Sequence, residues 1–460
     1  MCLDVGSTFT KAVLVSEASG ALVDAASVPT TSSTDVWDGV VAVREALTAR
    51  TLDVPDLDDR DRVWICSSAG GGLRLAVVGF EREVSSIAGR LVALSAGASV
   101  VHVTAGDLGE GDLRDLRQAV PDLILLVGGT DGGNAEVVTR NASVLARAAG
   151  LVPVPVVLAC NVDAQDEASR LLSAAGIAVE RAENVLPRIG SLEPASARAA
   201  IRSAFLAHVI GGKGLSRGPE FAGSVRAATP DAMLDGVHLV RQVSEHDVMV
   251  IDVGGATTDV YSAVQPQGED ATLAKDVVGT LWTARTVEGD LGMRHSAASV
   301  LEAAEREGLP GARDRQVQAW VTQVSADPAR VAQSDRERAW DRALASMAAV
   351  VATRRHARPP RPGASPRGLQ DVGVVIGSGG VLRYAESGEA ADVLSGVTHD
   401  FAGGWNPPQQ AKITVDVPYL LCSVGLLAHD RPNTAAALAA TVLSLDQGLS
   451  GALRDGTPLS

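Results

Sequence analysis

The stretch LDVGSTFTK, residues 3–11, has a counterpart far along the chain in IDVGGATTDV, residues 251–260. Each runs aliphatic-Asp-Val-Gly and then places a threonine four residues after the glycine, Thr10 after Gly6 and Thr258 after Gly254. An apolar run that breaks at glycine and resumes with alternating residues reads as a β-hairpin. One hairpin is therefore used twice at a domain-sized interval, and any fold for this chain must accommodate that duplication.

The residue choice at both turns suits phosphate. A turn that approaches phosphate closely needs an unobstructed backbone with several N–H groups aimed inward, which favours Gly, Ser and Thr. Gly6, Ser7 and Thr8 meet that demand, Thr10 offers a further hydroxyl, and Lys11 offers a compact cation for β- or γ-phosphate. Asp4 before the turn would face magnesium, through water or directly, because magnesium gives up its hydration shell reluctantly. The second hairpin supplies Gly254, Gly255 and Ala256, with hydroxyls on Thr257 and Thr258, and Asp252 stands where Asp4 stands. Either turn alone is equally ordinary hairpin chemistry. The pair across a cleft would grip a polyphosphate from both sides. A third cluster, IGSGGVL at residues 376–382, follows an apolar strand, and Gly377, Gly379 and Gly380 would let a nucleoside lie against the backbone, the alternative being a structural turn.

Between the hairpins, residues 90–190 alternate apolar strands with helical stretches, a pattern that predicts a parallel βα layer. GGTDGGN, residues 128–134, directly follows one of these strands and reads as either a ligand loop or a tight turn. The glycine-containing GGKGLSRG, residues 211–218, marks the expected main boundary before the second strand-rich unit, and a helix is expected after Ser296. RRHARPPRPGASPRG, residues 354–368, holds five arginines and four prolines and reads as an exposed loop. VPYLLCSVGLLA, residues 417–428, reads as a buried helix.

Composition narrows the function classes. A chain of 460 residues that is 46% apolar has room for two to four domains with substantial cores. A formal charge of −15 argues against a general nucleic-acid binder, since that needs clustered Lys and Arg. It leaves room for one bound nucleotide with its metal ion. The four cysteines, Cys2, Cys66, Cys160 and Cys422, are scattered and read as reduced core residues, without the close spacing of a zinc or iron–sulfur motif. The chain enters a strand at once, with no signal-like segment and no apolar run of membrane-spanning length, so a soluble cytoplasmic protein is expected.

In order, LDVGSTFTK, IDVGGATTDV and VIGSGGVL resemble the phosphate-1, phosphate-2 and adenosine motifs of the actin, heat-shock chaperone and sugar kinase ATPase superfamily. More narrowly, RTVEGDLGMR (residues 285–294), GGTDGGN and VPYLLCSVGLLA are similar to the glutamate mutase accessory family, called GlmL or MutL and unrelated to the mismatch-repair protein of that name. The resemblance implies an α/β, actin-like two-lobed ATPase of duplicated ribonuclease H-like domains with an inserted βα subdomain. Its expected divisions are 1–90 for the start of lobe I, 91–190 for the insertion, 191–245 for the return and connection, 246–425 for lobe II and 426–460 for a C-terminal helical segment.

Carried onto these residues, the resemblance assigns Asp4 and Asp252 to catalysis and magnesium, and Gly6, Ser7, Thr8, Thr10, Lys11, Gly254, Gly255, Thr257 and Thr258 to phosphates. Gly377, Gly379 and Gly380 would contact adenosine; Glu288 or Asp290 would reach ribose or metal, or else form a solvated acidic turn. The implied function is that of a weak ATPase that acts as a chaperone-like reactivating factor for an adenosylcobalamin-dependent mutase, of the glutamate mutase type or an amino mutase. ATP/ADP and Mg2+ would be its cofactors, and the family is similar to the reactivating factors of diol dehydratases. The chain itself carries no D-x-H-x-x-G cobalamin motif, and His102, His208, His238 and His246 lack that context. A small-molecule kinase and a non-enzymatic actin-like assembly protein are the alternatives within the same superfamily.

Overall fold

The computed structural model describes residues 1–69, 72–81, 84–265, 283–359, 367–386, 388–400 and 406–445. The first hairpin forms as expected. Strands β1 (Cys2–Val5) and β2 (Phe9–Val15) pair antiparallel with Asp4 opposite Lys11 and Val5 opposite Thr10. Strand β3 (Leu22–Pro29) extends the hairpin. Helix α1 (Val36–Thr48) starts where the Asp35 side chain accepts from the Trp37 N–H, and β4 (Trp64–Ser67) then returns parallel to β1.

The chain next builds an all-parallel layer of β5 (Arg74–Gly79), α2 (Ser85–Ser95), β6 (Ser99–Ala105), α3 (Glu110–Ala119), β7 (Leu123–Leu126), α4 (Glu136–Arg147), β8 (Val156–Leu158), α5 (Val162–Ala174) and β9 (Val179–Arg181). Its strand order is β6-β5-β7-β8-β9. The layer opens at Arg74, ahead of the expected residue 91, because Leu75–Val78 form a fully buried strand rather than a tail of the first unit.

After α6 (Pro194–Ala204) and α7 (Glu220–Ser224), β10 (Val225–Ala228) pairs parallel with β4 and completes the first sheet. The glycine-containing segment at 211–218 is therefore not the main boundary, since the chain is still inside the first lobe there. It crosses to the second lobe along α8 (Thr229–Ser244), which α6 grips through ion pairs of Arg198 and Arg202 with Asp235 at 2.8 and 2.7 Å.

The second lobe repeats the plan. Strands β11 (Asp247–Val253), β12 (Thr258–Ala263) and β13 (Thr283–Glu288) form the antiparallel part. Helices α9 (Ala297–Arg306), α10 (Arg315–Ala326) and α11 (Asp335–Ala357) lead to β14 (Val372–Ser378); α12 (Gly380–Arg383) and α13 (Glu389–Thr398) lead to β15 (Lys412–Val415). Helices α14 (Leu420–Leu427) and α15 (Pro432–Ser444) follow. Both sheets have the same order, β3-β2-β1-β4-β10 and β13-β12-β11-β14-β15, with the same parallel and antiparallel pairings. The molecule is thus a duplicated, two-lobed α/β fold of the actin-like kind.

Alternation along the strands decides what each face packs against. Leu3, Val5, Ala12 and Leu14 point into the first lobe's own core, and Met249, Ile251, Val253 and Val260 into the second's. The opposite faces, Cys2, Val13 and Cys66 on one sheet and Val248, Val250 and Tyr261 on the other, pack on a shared layer of α8, α14 and α15. Within that layer α8 and α14 approach backbone to backbone. A Cβ at Gly425 would lie 1.7 Å from the Ala232 carbonyl oxygen, and one at Gly236 would lie 2.1 Å from that of Leu421.

Two further expectations changed. The Arg- and Pro-rich segment is not all exposed loop: residues 354–357 end α11, where Arg354 and His356 are buried, Arg354 pairing with Asp400 at 2.6 Å. The long helix α11, buried nearly all round in its second half, takes in Arg354 and Arg355 before the prolines begin; residues 360–366 lie outside the described part. Of the C-terminal segment, α15 is helical and residues 446–460 lie outside the described part. Among the described residues no helix is long and apolar enough to cross a membrane.

The helix crossing yields a stability prediction. Gly425→Ala places a methyl group on immovable backbone and should cost about 1–3 kcal/mol, seen as a lowered thermal unfolding midpoint. Gly212→Ala, with open space around its Cβ, should leave the midpoint in place. Equal midpoints for the two variants would show that the crossing is not close-packed.

Candidate functional site

The two hairpin turns share one geometry. Gly6 N–H donates to the Phe9 carbonyl at 3.1 Å, and Gly254 N–H donates to that of Thr257 at 2.9 Å. A Cβ would come within 2.8 Å of the first carbonyl oxygen and 2.9 Å of the second, so each tight turn requires its glycine. The turn residues Ser7, Thr8 and Ala256 are exposed, and Gly254, Gly255 and Thr257 are partly so. Thr257 donates to Asp259 at 2.8 Å, while Ser7 donates to the Ser68 carbonyl at 3.3 Å.

Below the turns, Asp4 is the meeting point of several groups. Its Oδ2 takes the Lys11 ammonium at 3.3 Å, and its Oδ1 accepts from the Thr229 hydroxyl, the first residue of α8, at 2.5 Å. Lys11 also lies 3.5 Å from the centroid of the Tyr419 ring. Tyr419 holds that position from a left-handed backbone, φ 62°, just before α14, whose first N–H groups are capped by buried Asp416 through Leu420 at 2.7 Å and Leu421 at 2.9 Å.

Charges of both lobes converge on Asp252. Burial pushes its carboxyl up to about 6, Lys11 of the first lobe pulls it down, and Asp259, Arg383 and Asp4 act on it as well. These act through space, so the carboxylate stays available. Asp259, the residue of the second hairpin matching Lys11, is held by Arg285, whose Nη2 lies 2.6 Å from Oδ1. The same guanidinium donates through Nη1 to the Gly97 carbonyl at 2.7 Å. Near the third cluster, the buried Ser378 hydroxyl has no partner among the described residues, Gly379 (φ +95°) abuts the Val253 carbonyl, and Gly380 faces open space.

Several expected contacts are not available to a ligand. Thr10 is fully buried against Thr30 at 3.0 Å, and Thr258 is fully buried with its hydroxyl donating to the Leu291 carbonyl at 2.7 Å. Strand alternation is the cause: each threonine pairs with the valine that faces its lobe's core, whereas Lys11 and Asp259 lie on the cleft-side face. Gly377 also faces inward, its Cβ position 2.7 Å from Leu394. Glu288 and Asp290 are claimed by Arg355, at 2.7 and 2.6 Å, so neither is free for ribose or metal. Burial raises Glu288, with Arg355 opposing, and the Arg355 hydrogen bond lowers Asp290.

GGTDGGN follows β7 beside β5, where the strand order of the parallel layer reverses. Residues 131–134 are exposed, but several of the loop's polar groups are tied to neighbouring side chains. Asn184 donates to the Gly129 carbonyl and to Asp131, both at 2.9 Å, and Asn161 donates to the Gly133 carbonyl at 3.2 Å. Thr229, Tyr419, Arg383, Asp416 and Arg285 had not been singled out in the sequence. Asp259 of the quoted hairpin, Arg285 at the head of the quoted RTVEGDLGMR and Tyr419 of the quoted VPYLL segment carried a signal there, whereas Thr229, Arg383 and Asp416 lie outside the quoted stretches.

Comparison with known proteins follows from this geometry. Among solved structures, nucleotide-free acetone carboxylase is similar at 15% identity and TM-score 0.34, over 93% of this chain and 70% of that one. Component A of the (R)-2-hydroxyglutaryl-CoA dehydratase of Acidaminococcus fermentans is similar at 11% and 0.26, over 96% and 97%. The PilM–PilN type IV pilus biogenesis complex is similar at 14% and 0.29, over 96% and 97%. Likeness at that level carries no argument, and the fold rests on the duplicated sheet order. The curated Protein MutL of Clostridium tetanomorphum is 32% identical over 453 residues, 95% of this chain and 97% of that protein. Residues 1–443 match the family described as MutL protein, and the chain therefore belongs to the MutL family.

Proposed function

We propose that this MutL-family chain binds magnesium–ATP between its two hairpin turns and uses turnover to change its affinity for an adenosylcobalamin-dependent mutase, releasing damaged cofactor so that an intact one can enter. The observation that carries the nucleotide part is the charge environment of Asp252, a residue of the second lobe acted on by Lys11 and Asp4 of the first. Two matching turns, each preceded by a carboxylate, thus address one cleft.

The donor set suits magnesium, since Asp4 and Asp252 are hard oxygen ligands. Asp4, already accepting from Thr229 and Lys11, would hold the ion through water, and Asp252 has the freer carboxylate. Magnesium, when bound, neutralises the β- and γ-oxygens and favours in-line attack. The chain's own residues do the positioning. Lys11 leaves Asp4 for a phosphate oxygen, and the N–H groups and hydroxyls of Ser7 and Thr8 meet the phosphates from one side. Gly255, Ala256 and Thr257 meet them from the other. Asp252, whose carboxylate makes no direct hydrogen bond among the described residues, orients the attacking water. Gly379, Gly380 and the unpartnered Ser378 hydroxyl line the place for adenosine. Domain closure would follow nucleotide state, because the two turns belong to different lobes.

Three variants separate the roles. Lys11→Ala should weaken ATP binding about ten- to hundredfold, the loss of one charge-assisted contact, and unchanged calorimetric titration would remove Lys11 from the site. Asp252→Asn should bind nucleotide yet lose turnover while keeping its fold by circular dichroism; turnover at the parental rate would exclude Asp252. Thr258→Val should leave ATP affinity alone and cost about 1–3 kcal/mol of stability by orphaning the Leu291 carbonyl, and a lost affinity with unchanged stability would reverse that assignment. For the partner, a B12-dependent mutase should be retained by this chain with one nucleotide, ADP or ATP, and released with the other. Retention indifferent to nucleotide would contradict the coupling.

A further inference from the structure

Cys66 and Cys422 stand 356 residues apart in sequence, yet their Sγ atoms lie 3.1 Å from each other, both side chains buried. Cys66 is on β4, set beside Asp4 by the parallel register of β1 and β4, with its Sγ 3.6 Å from Asp4 Oδ1. Cys422 is the third residue of α14. The two thiols therefore join a strand of the first lobe to the helix whose N-terminus is capped by Asp416. Asp416 in turn is tied to the second lobe, its N–H donating to the Gly377 carbonyl at 2.9 Å.

We propose that Cys66 and Cys422 form a modification site, a dithiol that a peroxide oxidises to a disulfide, and that the cross-link fastens β4 of the first lobe to α14 and stops the nucleotide cycle. Disulfide sulfurs are about 2.0 Å apart, so closure needs a movement of about 1 Å. Thiolates sharing a tetrahedral zinc ion, with Zn–S of about 2.3 Å, sit roughly 3.7 Å apart, farther than these two sulfurs. Asp4, Cys66 and Cys422 do present ligand atoms within 4.8 Å of one another, but the sulfur spacing favours a direct bond.

The chemistry balances with the peroxide as oxidant. One thiol, as its thiolate, attacks the peroxide, the O–O bond breaks and a sulfenic acid forms; the second thiol displaces water from that sulfur. Two S–H bonds are lost and one S–S bond is gained, and the two protons and two electrons reduce hydrogen peroxide to two waters. Both side chains are buried, and burial holds the Cys66 thiol well above its usual range, so oxidation is slow and proceeds through the molecules in which this layer opens to peroxide and solvent takes the proton. Once made, the bond holds β4 against α14. The cross-link stands on the geometry alone; only its effect on ATP rests on the nucleotide reading above.

The test oxidises the full chain with hydrogen peroxide, alkylates remaining thiols under denaturing conditions and maps peptides without reduction. A Cys66–Cys422 peptide should appear, with two thiols fewer to alkylate, ATP turnover at least tenfold lower, and recovery with dithiothreitol. Cys160→Ala should behave like the parent, whereas Cys422→Ala should form no cross-link and its turnover should resist peroxide. Oxidation without that peptide, or stoichiometric zinc retained on the pair with both thiols uncrossed, would overturn the proposal. A cross-link that leaves turnover and the overall tryptic cleavage rate of the chain unchanged would overturn the lock. If the reduced chain turns over no ATP, the nucleotide reading fails, while the peptide map and the cleavage rate still decide the cross-link and the lock.

Discussion

Backbone contact between α8 and α14 is the constraint on which the rest of the molecule depends. Two sheets can share a helical layer at any spacing their side chains allow, but the cleft between them must be narrow for one ligand to meet both hairpins. Gly236 and Gly425 remove the side chains that would hold these helices apart, and the approach is limited only by main-chain atoms such as the Ala232 and Leu421 carbonyls. The crossing is also where the site residues originate: α8 begins with Thr229, which bonds Asp4, and α14 is preceded by Tyr419, which covers Lys11.

That placement explains why a cation and several carboxylates coexist in a mostly buried space. An isolated buried carboxylate is costly, and each here has a different remedy. Asp4 has Lys11 and Thr229, Asp259 has Arg285, and Asp416 has two helix N–H groups. Asp252 has only charges acting at a distance, and burial raises it to about 6; burial raises Asp416 as well, with its two N–H donors opposing. A carboxylate left without a direct partner in an otherwise compensated cluster marks where an external cation or a proton would be accommodated.

The duplication and the helix-strand alternation were legible because they repeat local patterns. The two hairpins and the buried α14 appear where the periodicity placed them, and the parallel layer appears as well, though it opens at Arg74 and not near residue 90. What failed, failed for one of two physical reasons. Thr10 and Thr258 were grouped with Lys11 by closeness in sequence, whereas strand alternation puts consecutive residues on opposite faces. The Lys11–Asp4 register across the hairpin already implied the correct parity. Thr229, Arg285 and the meeting of Cys66 with Cys422 could not be read locally, since each depends on how the lobes and the shared helices stack. The segment at 211–218 misled for a related reason: a glycine-containing turn resembles a linker unless the pairing of β10 with β4 is known.

The parallel layer is not a bystander to the cleft. Thr257 in the second turn bonds Asp259, Asp259 bonds Arg285, and Arg285 bonds the Gly97 carbonyl in the turn between α2 and β6. Arg285 is buried, and although burial works against its charge, Tyr261 and Asp259 outweigh that and hold it firmly protonated. A buried guanidinium with fixed partners transmits position rather than absorbing it, because moving any one partner strands a charge in a low-dielectric setting. The turn that would touch phosphate and the inserted layer are thus joined through a chain of three contacts, and a displacement of Thr257 on ligand arrival must either carry Gly97 with it or break one of them.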